Sequence, residues 1–193
     1  MRSPCARQRQ GHDHPPFRVM TKAKPSPRLE LLNELFNYQA DTGAITWKLS
    51  PSKRIKAGQN AGTVNTKGYL RIAMTIDGKF CVFAAHRLIW YIVTGTDPNE
   101  FQIDHIDGNR LNNKFSNLRL ATHAQNSCNR CASQQSKAKL KGVSWNKRDQ
   151  SWAAKIKANG QSIWLGSFPT PELAHMAYCK AAAELHGEFA RAV

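Results

Sequence analysis

The sequence predicts an α+β fold in two parts: a mixed helix-and-strand region, then a small three-stranded antiparallel sheet with one helix. Three observations predict it. Leu29, Leu31, Leu32, Leu35 and Phe36 recur at helical spacing. Asp77-Gly78 and Asn159-Gly160 each sit between strand-like runs and signal two-residue hairpins. Residues 171–186 form a last helix, with Thr170 as cap, Pro171 at the first helical position and Gly187 as the stop.

The elements follow in order. Residues 1–28 hold five prolines and seven basic residues with little apolar content, a composition that cannot bury a core and is expected to be disordered. Met20 offers an alternative start within it. A helix over 29–36 should end before Asp41-Thr42-Gly43, and 45–47 reads as a strand. Strands at 69–75 and 79–84 flank Asp77-Gly78, and a short helix over 86–93 is closed by Gly95 and Pro98. After an Asn-rich loop come a strand over 117–121 and a helix from Thr122. Residues 133–141 are polar and basic and read as a linker. Beyond it, 142–144, 152–157 and 162–165 read as three strands before the last helix. The expected organisation is therefore a tail at 1–28, a first domain at 29–132, a linker at 133–141 and a second domain at 142–193.

Charge narrows the partner. Lys plus Arg number 28 against 13 Asp plus Glu, a net +15 over 193 residues. The excess is spread out: +6 over 1–28, +4 over 29–136 and +5 over 137–193. Each part is cationic in its own right, which points to a polyanion and first to nucleic acid. The most apolar stretch, 80–93, is broken by His86-Arg87 and is too short to span a membrane, so no membrane partner is expected. No secretion signal is read at the N-terminus, and five irregularly placed cysteines fit a reducing cytoplasm.

The chemistry concentrates in two runs, Gln102-Ile103-Asp104-His105-Ile106-Asp107-Gly108-Asn109 and Asn117-Leu118-Arg119-Leu120-Ala121-Thr122-His123-Ala124-Gln125-Asn126. An Asp and a His adjoin at the end of a short strand, and a Gly/Asn-rich loop reverses the chain. A second strand then delivers Thr122, which with Gln125 three residues on has the spacing of a capping box. Such a strand-loop-strand-helix hairpin brings Asp104 and Asn126 close, with His105 on the neighbouring side. A lone Asp-His pair says little. The order, the capped helix and the nine-residue step from Asn117 to Asn126 together say much more.

These residues resemble the ββα-metal, or HNH, endonucleases, in particular the phage and homing branch. The resemblance is good over 85–130, including His86-Arg87-Leu88, and looser over 29–84. It implies that Asp104 is the metal-binding acid, His105 the general base, Asn117 the loop brace and Asn126 the second metal ligand. A neutral imidazole can take a proton from water near pH 7. Carboxylate plus amide oxygen suits Mg²⁺ or Mn²⁺ better than zinc. No small-molecule cofactor is expected. His123, one turn from Asn126, is a rival ligand. Cys128 and Cys131 read as two ordinary helix cysteines, with a structural zinc module as the other reading.

The C-terminal part resembles the Apetala-type DNA-binding domain of plant ethylene-response factors. The likeness runs over 138–190 through its Gly-Val, Trp-Ala-Ala, Trp-Leu-Gly-x-Phe and helix pieces. Strand parity supports it independently. Trp152, Ala154 and Ile156 share one face, and Lys155 and Lys157 the other. Ile163 and Leu165 should point inward, and Ser162 and Trp164 outward. The apolar face is expected to pack on Leu173, Ala174, Ala177, Ala181 and Leu185. The outer face can lie in a DNA major groove, Lys155 and Lys157 on phosphate or guanine and Trp164 on sugar and methyl groups. The resemblance adds Lys141, Ser144 and Asn146. Where the family usually has arginines this chain has Ser144, Asn146 and Ser162, which favours binding over strong sequence selectivity. Arg87 and Arg119 complete the DNA-binding candidates.

The function expected is metal-dependent hydrolysis of double-stranded DNA, nicking or cutting, by a phage-encoded or mobile homing-type nuclease in a bacterial cytoplasm, as a monomer. The alternative is a DNA-binding transcriptional regulator with an inactive nuclease core.

Overall fold

The computed structural model describes residues 27–132 and 136–191. The expected tail lies almost wholly outside the described residues, as do 133–135 of the expected linker. The architecture is α+β. Helix α1 (Leu29–Leu35) runs straight into β1 (Phe36–Gln39), which pairs antiparallel with β2 (Ala44–Trp47). The helix is shorter than expected because Phe36 leaves it. Its ring packs on Trp47, its partner across the pair, at 4.6 Å between centroids.

β3 (Thr63–Val64), β4 (Leu70–Ile76) and β5 (Lys79–Ala84) form an antiparallel sheet. Asp77 (φ 48°) and Gly78 (φ 74°) are both left-handed, as a type I′ turn demands, and so set the β4–β5 register. α2 (Ala85–Thr94) follows β5 directly and ends on Gly95, also left-handed. Leu32, Phe36, Ile45, Trp47, Ile72, Leu88, Ile89, Ile103 and Leu118 share one core. Ile103 and Leu118 lie on β6 (Gln102–His105) and β7 (Leu118–Ala121), so this core anchors the hairpin that carries the chemistry. α3 (His123–Cys128) closes it, with the Thr122–Gln125 capping box formed in both directions.

β8 (Val143–Asn146), β9 (Ser151–Ala158) and β10 (Gln161–Phe168) form a second antiparallel sheet in the order β10-β9-β8, packed on α4 (Pro171–His186). Asn159 (φ 50°) and Gly160 (φ 79°) make the expected turn. The helix phase differs from expectation. Ala174, Tyr178 and Ala182 are its buried positions, with Ala177 and Ala181 beside them, whereas Leu173 and Leu185 are exposed. Ile163 is also more exposed than expected, although it pairs with the buried Ile156, and a register shift follows between Trp164 and Gly166. Ala138 and Leu140, in the expected linker, pack on this second core. Gly142 passes so close to α4 that an added Cβ would lie 2.0 Å from the Tyr178 ring. Among the described residues no helix is long and apolar enough to cross a membrane.

Candidate nuclease site and DNA-binding face

Asp104 and His105 end β6, held there by pairing of Asp104 with Arg119 and His105 with Leu118. Both are buried, Asp104 to 5% exposure. The His105 Nε2 lies 3.1 Å from Asn113 Oδ1. An amide oxygen only accepts, so this contact places the imidazole proton on Nε2 and leaves Nδ1 as the basic nitrogen. Burial pushes the His105 pKa below the ordinary imidazole value, and Asn113 with the charges of Asp107 and Asp104 opposes that only in part. His105 is therefore neutral at pH 7. His86 meets its ring edge-on at 5.0 Å, and Tyr69 flanks both rings.

The loop between β6 and β7 is organised by Asn117. Its Nδ2 donates to Asp107 Oδ1 and to the Asn112 carbonyl, both at 2.9 Å, while its Oδ1 accepts from the Asp107 amide at 3.0 Å. Burial would raise the Asp107 pKa, but the donors on Asn112, Asn117 and the Asn109 backbone carry it below the usual carboxylate value. The side chain of Asn117 thus braces the loop.

Asp104 is heavily engaged. Arg119 gives it Nε and Nη2, at 3.0 and 2.9 Å, both to Oδ2. Asn129 Nδ2 donates to its two oxygens at 3.1 and 3.0 Å, and to the His105 carbonyl at 2.8 Å. Asn126 Nδ2 donates to Gln102 Oε1 at 2.5 Å, which leaves the amide oxygen as the end available to a cation. Asp104, His105, Asn126 and Asn129 all line one cleft of about 420 Å³, together with Arg110 and Arg130. Among the described residues no group of three or more His, Cys, Asp or Glu is placed to hold a metal. The donor set here is instead one carboxylate and two amides, which fits a hard ion that takes its other ligands from phosphate and water. His123 is exposed and does not line this cleft. α3 ends at Cys128, so Cys131 is not its helix neighbour as expected.

The expected DNA-binding residues divide. Ser144, Lys155, Lys157, Ser162 and Trp164 are all exposed, on alternating positions of β8, β9 and β10 that share the outer face. Trp164 is 52% exposed, with the Lys155 ammonium 5.4 Å from its ring centre. Asn146 shapes the 146–149 turn, accepting from the Arg148 and Asp149 amides. Three cations have their heads engaged within the protein. Arg87 braces the 97–101 loop through the Asn99 and Phe101 carbonyls. Arg119 holds Asp104, and Lys141 donates to the carbonyls of Cys128 and Arg191. Asn113 and Asn129 escaped sequence reasoning. Both lie in polar runs with no periodic signal, and only the closed hairpin brings them to the site.

A buried His next to a carboxylate, on a β-hairpin closed by a capped helix and over a cleft edged by arginines, is the arrangement that the resemblance to the ββα-metal nucleases implied. Comparison with known proteins agrees. Residues 83–128 match the HNH endonuclease family model, and residues 138–188 match the AP2 domain model. Protein 3.8 of Escherichia phage T7 is 38% identical over 106 residues, covering 55% of this chain and 87% of that protein. The uncharacterized HNH endonuclease L560 of Acanthamoeba polyphaga mimivirus is 42% identical over 106 residues, covering 54% of each chain. A solved structure of the HNH homing endonuclease I-HmuI, described for its DNA binding and cleavage, covers 78% of this chain and 84% of that one, at 22% identity and a TM-score of 0.36. A likeness at that level leaves the assignment resting on the sequence matches. The chain belongs to the HNH endonuclease family and carries an AP2 domain behind the nuclease motif.

Proposed function

We propose that the protein hydrolyses phosphodiester bonds of double-stranded DNA with His105 as general base, and that its AP2 domain places it on the duplex. The observation that carries this reading is His105 itself. It is buried and neutral, its Nε2 is paired with Asn113 Oδ1, and it lines one cleft with Asp104, Arg110 and Arg130. An imidazole so held accepts a proton from water near neutral pH. Asp104 and Asn126 are the residues that would hold Mg²⁺ or Mn²⁺, with Asn129 steadying the carboxylate. A hard divalent ion bound there would neutralise charge on the phosphate and on the departing 3′ oxygen. Arg110 and Arg130 attract the phosphodiester to the cleft. The products expected are 5′-phosphate and 3′-hydroxyl ends.

On the second domain, the outer sheet face lies in a major groove. Lys155 and Lys157 reach phosphate or guanine, and Trp164 packs on sugar and thymine methyl groups. Ser144 and Ser162 give few specific bonds, so placement is a preference rather than a strict address. The phage relative supports a site of action in bacterial cytoplasm. The test is supercoiled plasmid incubated with Mg²⁺, with and without EDTA. Relaxed or linear DNA should form only without the chelator. Conversion undiminished by EDTA, or none with either Mg²⁺ or Mn²⁺, would overturn the reading.

A further inference from the structure

Arg119 has one arm toward Asp104 and the other toward the AP2 domain. Nε and Nη2 both bond the Asp104 Oδ2, and Nη1 donates to the Glu188 carbonyl at 2.6 Å. Its guanidinium lies 3.8 Å from the centre of the Phe189 ring. Glu188 and Phe189 belong to the short turn Gly187–Phe189 that follows α4, and Phe189 is buried. Two further ties end in the same place. The Arg191 guanidinium lies on Gly108 of the motif loop, where an added Cβ would sit 1.5 Å from Nη1. Lys141 joins the Arg191 carbonyl, at 3.2 Å, to the carbonyl of Cys128 at the end of α3. The end of the AP2 domain is thus fixed to the second strand, the loop and the helix of the nuclease hairpin.

We propose that Arg119 is a positioning residue for Asp104, and that the Glu188–Phe189 turn sets it, so that docking of the AP2 domain completes the metal site as well as finding DNA. This rests on the reading that Asp104 holds the metal. A guanidinium that gripped both carboxylate oxygens would compete with a cation. Here both Arg119 bonds go to Oδ2, and among the described residues Oδ1 accepts only from the Asn129 amide, so Oδ1 is the oxygen that would be left for an ion. That orientation depends on where the guanidinium plane lies. The plane is fixed by a flat ring beneath it and a carbonyl at its far arm. Partners of a ligating carboxylate typically matter 10–100-fold for metal affinity.

Removing Arg119 would leave a buried carboxylate unpaired and confuse orientation with charge. Phe189 separates them, because its replacement keeps every charge in place. Mn²⁺ affinity is measured by calorimetry on the full chain without DNA, beside DNA affinity in EDTA and a thermal melt. Phe189→Ala should weaken Mn²⁺ binding about tenfold while DNA affinity stays within about twofold. Phe189→Leu, which keeps apolar volume and guards against loss of folding, should fall between wild type and Phe189→Ala. Phe189→Tyr should restore the wild-type value. Asp104→Ala is the control arm. If it abolishes Mn²⁺ binding while folded Phe189→Ala and Phe189→Leu bind Mn²⁺ like wild type, the coupling is overturned and the metal assignment stands. If Asp104→Ala itself binds Mn²⁺ like wild type, the metal assignment falls and the coupling falls with it.

Discussion

His86 and His105 meet edge to face, ring centroids 5.0 Å apart at 79°. Burial, then the neighbouring His105, Arg87 and Arg71, lowers the His86 pKa from 6.5 to about 3. The unfolded chain therefore binds a proton below pH 6.5 that the fold refuses until about pH 3. His86 favours the fold fully above pH 6.5, and that contribution is lost as pH falls through the window. The slope is about 1.4 kcal/mol per pH unit well inside it. His86→Leu should flatten the curve of unfolding free energy between pH 6 and 4. Superimposable curves for variant and wild type would remove His86 as the cause.

Trp164 and the two lysines beside it make a separable prediction. Trp164→Ala should weaken DNA binding by about 2 kcal/mol, roughly thirtyfold, as an aromatic anchor at an interface does. Because the indole is half exposed, unfolding free energy should change by less than about 0.5 kcal/mol. Lys155→Ala and Lys157→Ala should each reduce the slope of log affinity against log salt by about 0.9. A melting loss in Trp164→Ala as large as that of a core deletion, or an unchanged salt slope in both lysine variants, would contradict the proposed face.

Asn126 and Asn129 share the cleft but bond differently, and their variants should part company. Asn126→Ala should lose Mn²⁺ affinity at little cost to stability, and Asn126→Asp should retain activity through its oxygen. Asn129→Ala leaves Asp104 and the His105 carbonyl short of a donor. It should destabilise the protein by about 1–3 kcal/mol. Mn²⁺ titration and chemical denaturation of both variants decide the assignment. Asn126→Ala with wild-type Mn²⁺ affinity would move the second ligand elsewhere.

Local chemistry was legible in the sequence wherever a residue answers to its near neighbours. Asp77-Gly78 and Asn159-Gly160 occupy left-handed backbone that favours Asn, Asp and Gly, and the Thr122–Gln125 box closes within one turn. The helix Pro171–His186 stands where its cap and stop place it. What failed depended on partners far along the chain. Phe36 has helical spacing, yet it belongs to a strand because Trp47 faces it. In α4 so many positions are Ala that periodicity gives no phase, and the sheet selected Tyr178 over Leu173 and Leu185. Asp104, His105, Asn117 and Asn126 were singled out by order and spacing, and the roles proposed for them by the resemblance to the HNH endonucleases. Asn113 and Asn129 lie in polar runs without period, and Arg119 looked free because its second partner lies 69 residues away.

On the proposed mechanism His105 supplies chemistry and not affinity. Single-turnover cleavage of supercoiled plasmid by wild type and His105→Ala, at saturating Mg²⁺ and with DNA affinity measured beside it in EDTA, tests it most directly. Affinity should stay within about twofold of wild type while the rate falls by about 10²–10⁴. Cleavage by His105→Ala at the wild-type rate, or a loss of rate matched by an equal loss of binding, would contradict it.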